Sequence, residues 1–538
     1  MVMKTNNSFI FKLFNFCIAA AASLMLLSCD SELDIEKHGN LGNMDSYYTN
    51  DENINAATAS LYLEMRSLYY NWYMTKNSLA DDVWAGGGAR GDNADMEKLN
   101  EYTFDADNGM IQSLYSGLYS VIYKANLIID KTKGSLDNPD AEKTPVMKRA
   151  INEAKVFRAW AHFELVTLWG TAPVVDHLLE PSEYRQTNST PEAHWKLIES
   201  DLTEAIASGT LPSKANADDQ ETGIRMTKET AQAFLAKAYL FQGKNADAAS
   251  MFDNVINSGK YALFTADEYY MQFHARYNNN CESLFELQKR YDSEQMWSQC
   301  DFLMCMQGWR SDKLNYSGMA NGLLAQGTYG FLNPRKSLYD AFVAREGADG
   351  YRLSQSVLTY DQLQMIGVSV QTGKSVYGCE GYFLWKNQAL VEDCVMDLSA
   401  LQILQYTDLK VMRYAEVLLL AAEAHLQNGN STKALEYINM IRTRAKEKLL
   451  TAVTMDDIKQ EKRLELCNEC VRYQDLVRWG DASSAMSSQG KEIPVFATTG
   501  VEWGFKNENY GFKDKNKLLP IPLKELEVNP SMNKNEGW

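Results

Sequence analysis

One stretch limits what this chain can become: Glu153 to Val175, EAKVFRAWAHFELVTLWGTAPVV. Drawn at 3.6 residues per turn, Val156, Trp160 and Phe163 share one side of a helix. Phe157, Ala161, Leu165 and Leu168 share an adjoining side. An apolar surface this wide must be packed on several sides. Gly170 and Pro173 end the run, glycine as a C-terminal breaker and proline because it cannot continue the ladder. A buried helix needs helices around it, and the rest of the chain offers them.

Asp51–Tyr70 reads as a helix, with Ala57, Leu61 and Met65 four residues apart. Met110–Lys131 and Pro191–Ser208 read as helices too. Between the first two, Asn77–Asn108 breaks the pattern with Gly86-Gly87-Gly88, several Asp and Asn, and Trp84. That predicts a long loop with content of its own. Thr227–Ser258 places Leu235, Ala236, Tyr239, Gly243, Ala248 and Phe252 at the spacings of a tetratricopeptide unit, two helices joined by a glycine turn. Val411–Lys446 repeats the offsets with Gly429, Ala434 and Ile438.

The segment between the two units, Tyr261–Gln405, is rich in Gly, Asn, Tyr and Trp in short irregular runs, which predicts short strands, short helices and loops. Ile458–Trp479 returns to helix, with Leu464, Cys467 and Val471 on one face. Its charges, Glu461, Arg463, Glu465, Glu469, Arg472, Asp475 and Arg478, predict an ion-pair network tying this helix to its neighbours. Glu153 and Arg158 take a similar structural role. Lys517–Trp538 is extended and proline-punctuated and should wrap back over the helices.

The balance of 53 basic against 70 acidic residues gives a net charge of −17. No basic run interleaved with aromatics offsets it, so nucleic acid is not an expected partner. Attraction to an anionic lipid surface is likewise not expected, and membrane association would need an anchor. The N-terminus supplies one. Lys4 and Lys12 precede the apolar run Leu13–Leu27, too short for a dependable span, which leads into Leu26-Leu27-Ser28-Cys29. That resembles a bacterial lipobox, with residues 1–28 as signal peptide and Cys29 as the acylated residue. Several acyl chains hold a protein at a membrane far more firmly than one. The acidic residues Asp30 to Asp34 look like the signal that sends such lipoproteins to the outer cell surface. The seven cysteines after Cys29 suggest no disulfide framework, and Cys467-x-x-Cys470, read as mid-helix, is a chance pair. Six scattered His with no paired spacing support no metal site, and no cofactor is expected.

Several separated stretches together resemble the SusD/RagB family of Bacteroides-type outer-surface lipoproteins. They are the lipobox, EAKVFRAWAHFELVTLWG, MTKETAQAFLAKAYLFQGKNADAA, MRYAEVLLLAAEAHLQNGNSTKALEYINMIRTRA, EKRLELCNECVRYQDLVRWG and LLPIPLKELEVNPSMNKNEGW, in the family's order. One departure stands out: where the family usually has Glu-Gly, this chain has Glu469-Cys470. The resemblance implies a mainly α fold with four tetratricopeptide-like helix pairs and a large irregular ligand-facing insertion. Residues 29–538 would form a single domain, with helical repeats about 51–260 and 406–480, the insertion about 261–405 and the tail 481–538. It also implies non-catalytic capture of a nutrient glycan at the outer membrane, facing the cell exterior, and delivery to a SusC-like TonB-dependent transporter.

Sugar binding without chemistry needs an exposed aromatic against an apolar ring face and polar side chains that fix orientation. Trp84 fits best, with Asp82 beside it and Asn93 just beyond, because a tryptophan on a glycine-rich loop lacks the packing role of a helical one. In the insertion, Trp297, Trp309 and Tyr316 are the next candidates, with Arg310 and Asp312 as polar partners. Three alternatives stay open: a peptide-binding member of the same family; an all-helical glycoside hydrolase using Asp81 or Asp82 with a distant Glu; and a scaffold whose concave repeat surface binds a protein.

Overall fold

The structure is a computed structural model. It describes residues 44–538 except 136–137, 139, 266–268, 293, 296–298, 319–323, 326 and 395–403. The signal segment, the lipobox with Cys29, and Trp297 lie outside the described residues.

The opening stretch is the second half of a helix, α4 (Pro145–Leu168). It starts eight residues before Glu153 because Thr144 and Pro145 form the start signal: the threonine hydroxyl accepts from Met147 N at 3.1 Å and proline takes the first helical position. Val156, Phe157, Ala161, Leu165 and Leu168 are fully buried. The helix ends at Leu168, before Val175, and the tail closes its C-terminus. Leu519 N donates to Leu168 O at 2.7 Å, and Trp169 Nε1 donates to Pro520 O at 2.9 Å. The wrapping tail is thus built into the core, with one short helix inside it (Leu523–Val528).

Around α4 lie α1 (Asp51–Ser78), α3 (Gly109–Lys131) and α5 (Pro191–Ala207), with α2 (Ala94–Glu101) set against α1 and α3, and α3 and α5 both pack on α4. Then come α6 (Lys228–Phe241) and α7 (Asn245–Asn257), and much later α8 (Tyr414–Gln427) and α9 (Ser431–Arg444). Each pair turns through a glycine with positive φ, Gly243 at +74° and Gly429 at +81°, where a Cβ would be strained. α8 also packs on α7, so the two repeats are neighbours in space despite the insertion between them. The fold is mainly α and built from tetratricopeptide-like helix pairs.

The buried charges follow the expected logic. Glu153 receives Arg149, Arg225 and the Tyr62 hydroxyl, and Arg158 makes a two-bond fork to Asp201 at 2.8 Å. Between α4 and α5, His162 Nδ1 and His194 Nδ1 lie 3.1 Å apart, both residues fully buried. His194 Nε2 sits 2.7 Å from Ala172 O and so carries a proton. Its Nδ1 is then the acceptor, and His162 Nδ1–H the donor. That leaves the His162 Nε2 lone pair facing Val175 O, which accounts for the longer 3.3 Å separation there.

Ile458–Trp479 is not one helix. It is α10 (Met455–Glu465) and α11 (Arg472–Trp479), broken where Asn468 and Cys470 take φ of +61° and +64°. The cause is a set of buried cations that claim the backbone carbonyls the helix would use. Arg413 Nη2 bonds Glu465 O at 2.7 Å, and Lys386 Nζ bonds Glu465 O and Cys467 O at 3.0 Å. The carboxylates turn to the same cations, with Arg413 bridging Glu282, Glu465 and Glu469 at 2.5 to 2.7 Å. Cys467 and Cys470 are both buried free thiols in this break, not mid-helix residues.

Asn77–Asn108 is likewise more ordered than a loop. It holds the strand β1 (Val83–Gly86) and the helix α2. Other strands include β2 (Ser283–Leu287), β3 (Phe331–Pro334), β4 (Val376–Tyr377), β5 (Leu409–Arg413), β6 (Ile493–Ala497) and β7 (Gly500–Gly504), and two further short pairs lie within the insertion. β1 pairs antiparallel with β3, β2 with β5, and β6 lies between β7 and β4. A second hydrophobic core, including Trp309, Leu314, Phe383 and Phe496, fills the insertion.

Candidate functional site

The chain leaves α1 through Asp81 and Asp82, and both carboxylates turn inward. Arg472 holds Asp81 with bonds of 2.8 and 2.9 Å, and Arg463 holds Asp82 at 2.7 Å. Burial opposes ionisation of Asp81, but the two guanidinium groups outweigh it and hold the carboxyl below its ordinary range. Burial pushes the Asp82 carboxyl up, against the pull of Arg463. Asp82 is 2% exposed and ties α10 to the end of α1. It is a structural residue, not a ligand contact, because its charge is already spent on Arg463.

Two residues on, β1 presents Trp84 opposite Asn333 of β3. Gly86 must be glycine: a Cβ there would lie 2.3 Å from Gly330 O, and its φ is +74°. The glycine run therefore lets β1 approach the insertion closely; it is a packing device. Trp84 itself is 5% exposed. Its Nε1 donates to Glu380 Oε2 at 2.8 Å, and the Arg335 guanidinium stacks 3.6 Å from its ring centre. Arg335 Nε donates to Val83 O at 2.9 Å, and burial lowers its pKa to about 10. Across from Trp84 stands Trp503 of β7, 6.0 Å away between ring centres and inclined at 66°, and 45% exposed. Asp81, Trp84, Arg335, Glu380, Gln489 and Trp503 are among the residues lining an open depression of about 520 Å³.

Trp84 is thus the floor of the corner and Trp503 its exposed wall. Phe505, 39% exposed, extends the aromatic strip along the hairpin, and Arg90 of the glycine-rich segment stacks 3.6 Å over its ring. The tail 481–538 therefore does more than wrap. The missed signal was the alternation in Val501-Glu502-Trp503, which puts two apolar side chains on one face of a solvent-exposed edge strand, with Phe505 just beyond its end. Arg335 and Glu380 were missed because nothing local distinguishes them from other surface charges.

The remaining candidates divide. Asn93 caps α2, accepting from Met96 N at 3.2 Å, so its side chain serves the helix. Trp309 is 1% exposed, donates Nε1 to Leu384 O at 2.8 Å and packs on Phe383 and Trp385; it is core, not a platform. Tyr316 is half-buried against the same core, and burial raises its pKa to about 12. Arg310 pairs with Asp312 at 2.5 Å and Asp92 at 3.3 Å, and a Cβ on Gly88 would meet its guanidinium at 2.7 Å. It joins the insertion to the glycine run beside the corner.

Comparison with known proteins agrees with this architecture. A profile of the SusD family matches residues 399–538, and one described as starch-binding associating with outer membrane matches residues 40–240. A SusD-like protein of Bacteroides ovatus is 28% identical over 488 residues, covering 86% of this chain and 82% of the relative. A SusD-like protein of Formosa agariphila is 26% identical over 539 residues, covering 96% and 98%. Among solved structures, a laminarin binding SusD-like protein superposes with a TM-score of 0.75 at 28% identity, over 91% of this chain and 100% of that one. Surface glycan-binding protein A from Bacteroides thetaiotaomicron in complex with laminarihexaose shares the fold, with a TM-score of 0.68 at 22% identity over 90% and 99%. In its helix pairs, in its tail and in two profile matches that lie at either end of the chain, the protein is similar to the SusD family.

Proposed function

We propose that this protein binds an oligosaccharide or polysaccharide at the outer face of the outer membrane and passes it to a SusC-like TonB-dependent transporter. The observation that carries the sugar reading is the corner formed by Trp84 and Trp503 over Arg335 and Glu380. An exposed indole offers a flat apolar surface to one face of a sugar ring. A guanidinium that only donates and a carboxylate that only accepts stand beside it, and a ring of hydroxyls satisfies both. The names of the relatives, one laminarin binding and one complexed with laminarihexaose, support the same reading.

The role is non-catalytic. A hydrolase needs two carboxyls free to exchange protons on either side of a glycosidic bond, and Asp81 and Asp82, the pair that sequence offers for it, are held by Arg472 and Arg463. Attachment is through Cys29 after removal of residues 1–28, a reading that rests on the lipobox. Calorimetry of the mature chain against laminarihexaose, starch-type oligosaccharides and peptides tests the proposal. Saturable binding to a sugar that Trp503→Ala weakens is the expected result. Binding to peptides alone, or to nothing, would sink it.

A further inference from the structure

The outer face of α3 carries a second aromatic groove. Tyr115, Tyr119 and Tyr123 follow at four-residue spacing, so they rise along one side of the helix. Tyr115 is buried, Tyr119 half-buried and Tyr123 55% exposed. The first two rings lie 4.9 Å apart, inclined at 51°. Ser116 and Ser120 interleave with them. Lys124 reaches across to Glu64 of α1 at 2.7 Å, and Glu525 of the tail helix closes one end. The groove encloses about 400 Å³ and shares no residue with the Trp84–Trp503 depression.

Its lining is unusual in what it omits. Every wall is a phenol, a hydroxyl or a charged group, with no aliphatic side chain among those that line it. Lipid chains and the aliphatic anchors of protein partners find little there to pack against. The Tyr119 hydroxyl is committed to Pro173 O at 2.6 Å, and the buried Tyr115 hydroxyl lies beside that of Tyr119. Phenol faces with hydroxyls and a carboxylate alongside are what a pyranose uses: its apolar face on the ring, its hydroxyls on the polar tips. We infer that this groove is a second, weaker carbohydrate subsite, engaged by polysaccharide rather than by short oligosaccharide. It rests on the sugar-binding reading above, and adds avidity for long chains.

Electrophoresis of the mature chain through gels containing laminarin or starch, beside calorimetry with laminarihexaose, separates the two sites. Tyr123→Ala removes an exposed ring, so folding is preserved. It is expected to weaken polysaccharide retention about fivefold and leave hexaose affinity unchanged. Trp503→Ala is expected to weaken hexaose binding about 10- to 100-fold but keep residual retention, which the double variant then loses. Glu525→Gln gives a second, milder test of the same groove. If the double variant is retained as well as Trp503→Ala alone, the subsite is overturned. It is equally overturned if Tyr123→Ala leaves retention intact but reduces co-purification with a co-expressed transporter, because the face is then a protein contact. If the wild-type chain is retained by neither polysaccharide and binds no hexaose, the sugar reading itself fails and this inference with it.

Discussion

Asp82 and Trp84 are separated by one residue and have opposite fates. Asp82 turns into the helical body and is locked by Arg463, while Trp84 turns to the seam where β1, the insertion and the C-terminal hairpin meet. The body is held by dense buried ion pairs, with Arg413, Arg352 and Arg444 each bridging carboxylates of several elements. The seam is held by stacking and single hydrogen bonds and keeps one tryptophan exposed. In the body charge is paired and buried, whereas at the seam Arg335 and Glu380 stand beside aromatic rings that meet from distant parts of the sequence.

The largest expected effect breaks the scaffold side of that contrast. Arg413→Met removes the cation that Glu282, Glu465 and Glu469 share, leaving Arg444, Arg352 and Lys386 to hold three buried carboxylates, and removing one partner of a buried ion pair typically costs about 3–5 kcal/mol. Denaturant unfolding should show a loss of that size, with sugar affinity of the folded fraction unchanged. A loss below about 1 kcal/mol would mean the carboxylates find other partners or protons cheaply.

On the seam, the two tryptophans should separate. Trp84→Ala empties a buried site and is expected to cost about 3–5 kcal/mol of stability as well as binding. Trp503→Ala is expected to leave stability within about 0.5 kcal/mol and to weaken sugar binding about 10- to 100-fold. Equal losses of stability would show that Trp503 is a packing residue and that the wall of the depression lies elsewhere.

An intermediate effect probes the body through pH. Burial holds the His194 pKa down to about 4, and His162 is lowered by burial and then by His194. Below the ordinary histidine value of about 6.5 the unfolded chain takes protons that the folded chain refuses, so stability falls as pH drops toward 4. For His194 alone the loss from pH 7 to pH 5 is about 2 kcal/mol. His194→Gln, whose amide can still donate to Ala172 O, should flatten that slope. An unchanged slope would place the acid sensitivity in other groups.

Most of the body was legible because its signals are local. The apolar periodicity of Glu153–Val175, the glycine offsets of the two repeats and the proline-punctuated tail each require only neighbours in sequence. The break after Glu465 was not legible, because Arg413 and Lys386 cause it from 52 and 79 residues away. Trp309 and Trp84 look alike in sequence, each on an irregular segment. Only Phe383 and Trp385 packing on one, and Trp503 standing off from the other, make the first core and the second the floor of an open depression. Trp503 was hidden inside a segment whose most obvious property was that it wraps.

The smallest effect tests the break itself. Cys470 holds a left-handed φ of +64°, a conformation that favours glycine, and its sulfur accepts from Asn77 Nδ2 at 3.3 Å. Left-handed backbone costs a residue with a Cβ about 1–2 kcal/mol, and filling the interior with a thiol returns about 1 kcal/mol. The two nearly cancel, so Cys470→Gly should be within about 1 kcal/mol of the wild-type chain. Cys470→Ala keeps the strain and loses the thiol, and should fall about 1 kcal/mol below the glycine variant. The difference between the two variants isolates the backbone term from the packing term. If alanine and glycine are equally stable in denaturant unfolding, position 470 is not held left-handed, and the helix continues further toward Arg472 than the cation-driven break allows.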